Sequence, residues 1–432
     1  MIKRILIIVS IFVVSLAIQI LLLFSSASIS NSTIVNNYKE SADFLCERQV
    51  FFELNEGINA SKIDRYADSI LLNIAWNIDK NIESILMDSY YYTDSQNEND
   101  NLHDSVYDGK TANQQYMRYW HGSIIFVRAM HLMFDLKQIY IINAILLIIL
   151  AVILFVSLIR NDMKIETVSL ATGLICVGVW YVPLSLEYTW TFIVMMITTI
   201  IVVHLHENDF LLMIVFLLSG MITNYLDFLT TETITLLVPL LIVISTSFKN
   251  ISKKSSGYDK KADYKWIFAL SVSWAIGYIG NWIMKWVITA VVTGENVIPL
   301  ISGHIEERLN GEINNMSIVL YMIQAVGRNI SCLFPLGYGT IGFICAIVLI
   351  LGYLYVCYVY HESNISSHSI IIYLLIALVP IVRYMILHNH AYLHCFFTYR
   401  ALLPTIMALC FIAAEIIDGR YIGNAILHRR KS

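Results

Sequence analysis

Residues 138–158 read QIYIINAILLIILAVILFVSL, an apolar run without a charged side chain. A helix needs about 20 mostly apolar residues to cross the hydrocarbon layer of a bilayer, so this run predicts a transmembrane helix. The whole composition points the same way, because 57% of the residues are hydrophobic and only 14% are charged. Soluble domains carry roughly 25% charged residues. We therefore expect an all-α polytopic membrane protein.

Similar runs along the chain predict about ten transmembrane helices. The first extends from Ile5 to Phe24, behind Lys3 and Arg4. It resembles a signal peptide but is long enough to remain as an uncleaved first span. The other runs lie at 138–158, 165–183, 187–204, 210–226, 233–247, 266–292, 340–360, 369–387 and 399–417.

Basic residues predict the orientation of these helices. With ten spans, the basic N-terminus, the pair Arg160 and Lys164, the six lysines within 248–265 and the tail HRRKS all fall on one side. Cytoplasmic loops carry an excess of lysine and arginine, so we place both termini in the cytoplasm of a multi-pass plasma-membrane protein. The apolar stretch 317–334 contains Arg328, which is costly inside a bilayer, and is predicted to be a partly inserted or surface helix.

This topology divides the chain into five parts. They are a first transmembrane helix (1–27), a first outer loop with amphipathic helices (28–137), transmembrane helices two to seven (138–292), a second outer loop (293–339), and the last three transmembrane helices with a basic cytoplasmic tail (340–432). Within the first outer loop, the Asn- and Asp-rich stretch 93–106 is predicted to be a mobile loop tip. No basic patch suggests nucleic acid as a partner, and membrane lipids are the expected surroundings.

The first outer loop contains a carboxylate pair in the stretch ASKIDRYADSILLNIAW (60–76). Asp64 and Asp68 lie four residues apart and so share one helical face. One alternative is structural: Ser61 caps the helix and Asp64 follows as the acidic member of a capping box. The other is chemical, since a carboxylate can act as a general base. The apolar residues that follow Asp68 suit a helix resting on the membrane.

Further polar residues gather at the predicted outer ends of the spans. The candidate substrate-binding residues are Arg118, His121, Arg128, Asp227, Lys285, Arg383, His390 and Arg400. Cations stabilise a phosphate leaving group. The plainer alternatives are an interfacial anchor for residues 114–140 and snorkelling for Lys285 and Arg400. The histidines at 388, 390 and 394 suit hydrogen bonding to a polar substrate better than a metal, because no carboxylate or cysteine completes the set locally.

The layout of many spans and two long outer loops resembles that of the GT-C glycosyltransferases. The resemblance is carried by IDRYADSILLNIAW, RYWHGSIIFVRAMHLMFDLKQIYIINAILLII, GMITNYLDFLTTETITLLVP, WAIGYIGNWIMKW and HNHAYLHCFFTYRAL. It implies a polyprenyl-phosphate sugar donor and an acidic residue of the first outer loop as base or metal ligand. That role falls on Asp68 or Asp64. The adjacent acidic pair that many members show in the first outer loop is absent there, and the nearest acidic alternatives are Glu40 and Asp43. A divalent Mg²⁺ or Mn²⁺ ion stays an open alternative.

Three functions follow as expectations. The first is a glycosyltransferase that moves a hexosyl or pentosyl group from the lipid carrier to a cell-surface glycan or glycolipid on the outer face, with Asp68 as the preferred base. The second is a transporter or flippase for lipid-linked sugars, and the third is a non-catalytic subunit of an envelope-assembly complex. Cys46, Cys332 and Cys395 lie outside or at the edges of the apolar runs, which leaves a disulfide among them open.

Overall fold

The computed structural model describes most of the chain as a helical bundle. The described residues are 2–86, 91–205, 208–253, 260–294, 296, 299, 302–303, 316–361 and 367–417, without the side chains of 248–263. The structure is 78% helical, which confirms an all-α polytopic architecture. The tail HRRKS and much of the second outer loop lie outside the described residues.

Eighteen helices are described, with bounds given in chain order. The first nine are α1 (Ile2–Ala27), α2 (Asn31–Cys46), α3 (Arg65–Asn77), α4 (Ile82–Leu86), α5 (Glu98–Tyr107), α6 (Ile124–Met130), α7 (Leu136–Arg160), α8 (Lys164–Cys176) and α9 (Leu186–Leu205). The others are α10 (Asp209–Leu226), α11 (Ile234–Lys253), α12 (Lys260–Thr293), α13 (Ile318–Ser331), α14 (Gly339–Val359), α15 (Ser367–Ile386), α16 (His388–Leu393), α17 (Cys395–Thr398) and α18 (Leu403–Ile416).

Eight helical segments of the described chain are long and apolar enough to cross a membrane. They correspond to eight of the ten predicted runs. The other two runs form shorter pieces. The run at 165–183 becomes α8 followed by the 3-10 turn Val179–Leu184, and the apolar part of α11 is Ile234–Ser247.

Close contact between α10 and α12 depends on two glycines. A Cβ atom on Gly277 would lie 2.1 Å from the carbonyl oxygen of Leu217, and one on Gly220 would lie 2.2 Å from that of Trp274. Both distances are far below van der Waals contact. Small residues let helix backbones approach closely in membranes, where packing rather than water exclusion drives association.

The first outer loop folds into a small helical unit at one end of the bundle. It contains α2 to α6 and a two-stranded antiparallel hairpin, β1 (Phe51–Glu53) with β2 (Lys62–Asp64). The apolar residues after Asp68 are buried inside this unit, with Leu71 and Leu72 almost wholly enclosed. The expectation that they rest on the membrane was therefore wrong.

A second correction concerns the polar stretch 93–106. Residues 98–107 form α5, which Asn97 caps by accepting a hydrogen bond from the Asn99 N–H. The side chains of Asn99 and Asn101 are buried. Asn99 receives a bond from Ser69 Oγ at 2.7 Å and donates to the Leu45 carbonyl at 2.8 Å. Asn99 therefore joins α5 to α2 and α3, and the predicted loop tip is a packed helix.

Candidate functional site

A cavity of about 640 Å³ lies between the outer-loop unit and the ends of the spans. Its walls come from distant parts of the chain: the hairpin and α3, the segment before α6, the start of α9, the turn after α10, and α16 with α17. The lining residues are Phe51, Asp64, Tyr66, Ala67, Ile70, Leu71, Tyr91, Gln114, Gln115, Tyr116, Arg118, His121, Glu187, Phe228, Asn389, His390, Leu393, His394 and Phe397. Small-molecule sites are typically clefts of this size.

Asp64 is the member of the predicted carboxylate pair that lines the cavity. It ends β2 and caps α3, accepting the Ala67 N–H at 2.9 Å. The helix begins at Arg65, so Asp64 itself is the N-cap, and the expected cap at Ser61 was wrong. Burial raises the pKa of Asp64 to about 7, although the Ala67 bond opposes this and nearby Asp68 adds to it. A carboxyl with such a pKa changes charge near neutral pH.

Asp68 lies one turn further along α3 and does not belong to the cavity lining. Its carboxylate accepts hydrogen bonds from the Tyr140 hydroxyl, from Ser185 Oγ at 3.0 Å and from the Leu186 N–H at 3.0 Å. Burial raises its pKa to about 6, against these bonds. Through these hydrogen bonds, Asp68 connects α3 to α7 and to the start of α9.

Arg118, His121 and His390 are the other predicted site residues that line the cavity. His121 is buried, and its Nε2 lies 3.1 Å from the Tyr116 carbonyl oxygen. Burial lowers the pKa of His121 to about 3, so the ring is neutral at ordinary pH. Its backbone is left-handed, with φ of 50°, an uncommon state for a residue other than glycine. His390 Nε2 lies 3.0 Å from the Leu229 carbonyl oxygen.

Arg128 and Lys285 lie outside the cavity and hold the outer-loop unit to the spans. The Arg128 guanidinium is buried and donates to the carbonyls of Ser26, Ile29 and Ala75. Lys285 donates to the Leu86 carbonyl and lies 5.1 Å from the centre of the Trp120 ring. Snorkelling, the plainer alternative for Lys285, does not apply, since its side chain is fully enclosed.

Asp227 lies in the turn between α10 and α11, and Arg383 contacts the same turn from α15. Arg383 pairs with Glu232 through Nε and Nη2 at 2.6 and 2.8 Å. Asp227 accepts the Leu229 N–H at 2.9 Å and also the Thr230 hydroxyl. Burial, with repulsion from Glu232, raises the pKa of Asp227 to about 7. These contacts shape the turn that presents Phe228 to the cavity.

Arg400 is buried behind the cavity wall. Its guanidinium lies 4.8 Å from the ring centre of Tyr188, and that ring packs on the cavity residue Phe397 at 5.3 Å. Nε and Nη2 of Arg400 have no hydrogen-bond partner among the residues that the structure describes. An enclosed cation with spare donors favours an anion nearby.

No protein-family model, no curated protein and no solved structure matches this chain. The function therefore has to be argued from the cavity itself.

Most of the cavity lining was not predicted from the sequence. Six aromatic residues contribute to its wall: Phe51, Tyr66, Tyr91, Tyr116, Phe228 and Phe397. Glu187 and the glutamines at 114 and 115 add polar groups. These residues come from several separate segments of the chain, so no local motif marks them. Aromatic residues are also frequent at membrane interfaces whether or not they line a site. The residues predicted from the sequence that do line the cavity are Asp64, Arg118, His121 and His390.

The described residues of the cavity form no preassembled metal site. Across the described chain, no group of three or more His, Cys, Asp or Glu side chains converges as ligands would. His390 and His394 stack with ring centres 4.9 Å apart, but no third ligand joins them. We derive no step through Mg²⁺ or Mn²⁺.

Proposed function

We propose that this protein is a membrane glycosyltransferase that uses a polyprenyl-phosphate sugar donor and a glycan or glycolipid acceptor. The observation that carries the proposal is the placement of Asp64. Its carboxyl, with a pKa of about 7, opens onto a cavity shared with Arg118. General bases work best when their pKa is close to the operating pH.

In the proposed reaction, the Asp64 carboxylate takes the proton of an acceptor hydroxyl. The hydroxyl oxygen then forms a bond to the anomeric carbon of the donor sugar. The bond between that carbon and the phosphate oxygen breaks, and the electron pair leaves with the polyprenyl phosphate. Arg118 offsets the charge that develops on this leaving group.

The cavity wall suits a sugar. Sugar rings carry apolar C–H faces and a rim of hydroxyls. Aromatic residues supply flat apolar surfaces, and the glutamines at 114 and 115, with Asn389, supply hydrogen-bonding groups. Binding sites of this kind combine mostly apolar walls with a few placed polar groups.

The geometry changes the preferred base from Asp68 to Asp64. Asp68 accepts three hydrogen bonds away from the cavity, whereas Asp64 lines it. Arg400 is the second cation of interest, since it lies one aromatic ring behind the wall. The remaining predicted cations are engaged in structural contacts.

A transporter or flippase is the alternative from another class. Transporter sites lie near the bilayer midplane, between repeated halves. Here the cavity is lined by residues at the ends of spans, such as Glu187 at the start of α9 and Phe228 just after α10. This position at the ends of the spans favours a reaction at the membrane surface over transport through the bilayer.

The test is a transfer assay with purified protein in detergent, radiolabelled polyprenyl-phosphate hexoses and pentoses, and cell-envelope glycans and glycolipids as acceptors. The wild type should release polyprenyl phosphate from one of these donors. Asp64→Asn should slow release by about 100-fold or more, while Asp108→Asn, an exposed change in the same loop unit, should leave it unchanged. Normal turnover by Asp64→Asn would overturn the assignment of the base. No turnover of any donor by the wild type would favour the non-catalytic subunit.

A further inference from the structure

Two cysteines from distant segments meet beside the cavity. Cys332 is the C-cap of α13, and Cys395 begins α17. Both are buried, with 3% and 1% of their surface exposed. Both sulfurs contact the same side chain. One amide, Asn59 Nδ2, lies 3.2 Å from Cys395 Sγ and 3.7 Å from Cys332 Sγ.

Arg328 makes this pair chemically asymmetric. The guanidinium, one turn before Cys332 on α13, lies 4.1 Å from the Tyr392 ring centre, three residues before Cys395, and interacts electrostatically with Cys395. A cation and an amide donor beside a sulfur stabilise its thiolate, the reactive form. Cys46 shows the opposite setting, because burial and the carboxylates of Asp100 and Asp43 raise its pKa to about 11.

We propose that Cys332 and Cys395 form a reversible dithiol–disulfide pair that fastens the wall of the cavity. The oxidant is a disulfide-bearing molecule. The Cys395 thiolate attacks one of its sulfurs, forms a mixed disulfide and releases a first thiol. Cys332, after losing its proton, attacks Cys395 Sγ and releases the second thiol. The two cysteines lose two electrons and two protons, and the oxidant becomes two thiols.

The new bond joins two parts of the cavity surroundings. Cys395 follows His394, which lines the cavity, and Asn59 lies five residues before Asp64. Closing the disulfide links the end of α13 to α17 and alters the contact that Asn59 makes with both sulfurs. The predicted outer location suits such chemistry, since disulfides persist outside the cytoplasm. This inference does not depend on the glycosyltransferase proposal.

The experiment equilibrates full-length protein in detergent with buffers of reduced and oxidised glutathione. After acid trapping and digestion, mass spectrometry should find a Cys332–Cys395 linked peptide, two hydrogens lighter than its separate parts, which increases with oxidised glutathione and disappears on reduction. Detection in wild-type protein avoids any folding defect of a variant. Two free thiols, or a separate glutathione on each, across all buffers would overturn the proposal.

Single variants test the direction of attack. Cys332→Ser should retain glutathione on Cys395, whereas Cys395→Ser should leave Cys332 mostly unmodified. Arg328→Gln should slow formation of the linked peptide in the otherwise native chain by about tenfold. Arg160→Gln, at the end of α7, serves as the matched control and should have no effect. An unchanged rate in Arg328→Gln, or glutathione trapped on Cys332 instead, would contradict the assigned roles.

Discussion

Asp64 and Asp68 show how two carboxylates one turn apart acquire different roles. The spacing predicts one shared helical face, but Asp64 is the N-cap of α3 and Asp68 lies inside the helix. What separates them is the surroundings: Tyr140 and Ser185, distant in sequence, donate to Asp68, whereas Asp64 faces the cavity. The sequence pattern identifies the two carboxylates as candidates. It does not show which of them faces the cavity, because that depends on contacts between residues distant in sequence.

The raised pKa of Asp64 predicts a pH-dependent stability change in Asp64→Asn. The pKa is about 3.9 in the unfolded chain and about 7 in the folded one. Protonation therefore favours the folded state, and this stabilisation is complete below pH 4 and lost as the pH rises towards 7. Asparagine caps a helix as well as aspartate but carries no charge. Asp64→Asn should match the wild type near pH 4 and exceed it above pH 7, on the order of a few kcal/mol.

Thermal unfolding in detergent from pH 4 to pH 8.5, followed by tryptophan fluorescence, measures this difference. Asp108→Asn is the control, and its unfolding temperature should follow the wild type throughout. A difference between Asp64→Asn and the wild type that stays constant with pH would contradict the assigned pKa.

Asp68→Ala should destabilise the fold. The change leaves the Tyr140 hydroxyl, Ser185 Oγ and the Leu186 N–H without their buried acceptor. Each unsatisfied buried group costs about 1–3 kcal/mol. We expect a lower unfolding temperature and a lower yield, and Tyr140→Phe should show a smaller loss of about 1 kcal/mol. Full stability combined with abolished transfer would instead return Asp68 to the catalytic role.

At the scale of elements, the apolar runs were sufficient to locate the spans but not the loop helices. A run such as 138–158 must be a helix because lipid leaves its backbone no other partners. The stretch 93–106 is polar, and its low hydrophobicity predicted mobility. It folds because buried Asn99 bonds to α2 and α3 and buried Asn101 bonds to the turn before α5, and composition alone does not reveal such partners.

Helix packing gives a prediction for Gly277→Ala. The added methyl group would meet the Leu217 carbonyl oxygen at 2.1 Å, a backbone atom that cannot move aside without shifting α10. Overpacking of this kind costs about 1–3 kcal/mol, so the unfolding temperature in detergent should fall.

Gly352→Ala on α14 provides the matched control, since nothing lies within 4 Å of the Cβ position there. It should unfold at the wild-type temperature or slightly above, because alanine favours a helix over glycine by about 1 kcal/mol. Equal unfolding temperatures for the two variants would show that α10 and α12 are not in close contact.

At the scale of the whole molecule, the sequence located polar residues at one end of the bundle but overstated their convergence. Arg118, His121, His390 and Asp64 meet at the cavity. Arg383 forms a salt bridge with Glu232, and Arg128 donates hydrogen bonds to backbone carbonyls. Topology can place charges at the same end of the spans, but only packing decides which of them share a space.

The proposed outer location of that end is open to direct measurement. Asp108 and Asn161 are both exposed, the first in the outer-loop unit and the second in the turn after α7. They lie at opposite ends of the spans, because α7 runs from the loop unit to that turn and has the length to cross the bilayer. In a background with Cys46→Ser, a membrane-impermeant maleimide added to intact cells should label Asp108→Cys and not Asn161→Cys. Permeabilised cells should show labelling of both, since basic Arg160 and Lys164 predict a cytoplasmic turn. Labelling of Asn161→Cys alone in intact cells would invert the topology, placing the cavity in the cytoplasm, and an outer-face transferase would then be excluded.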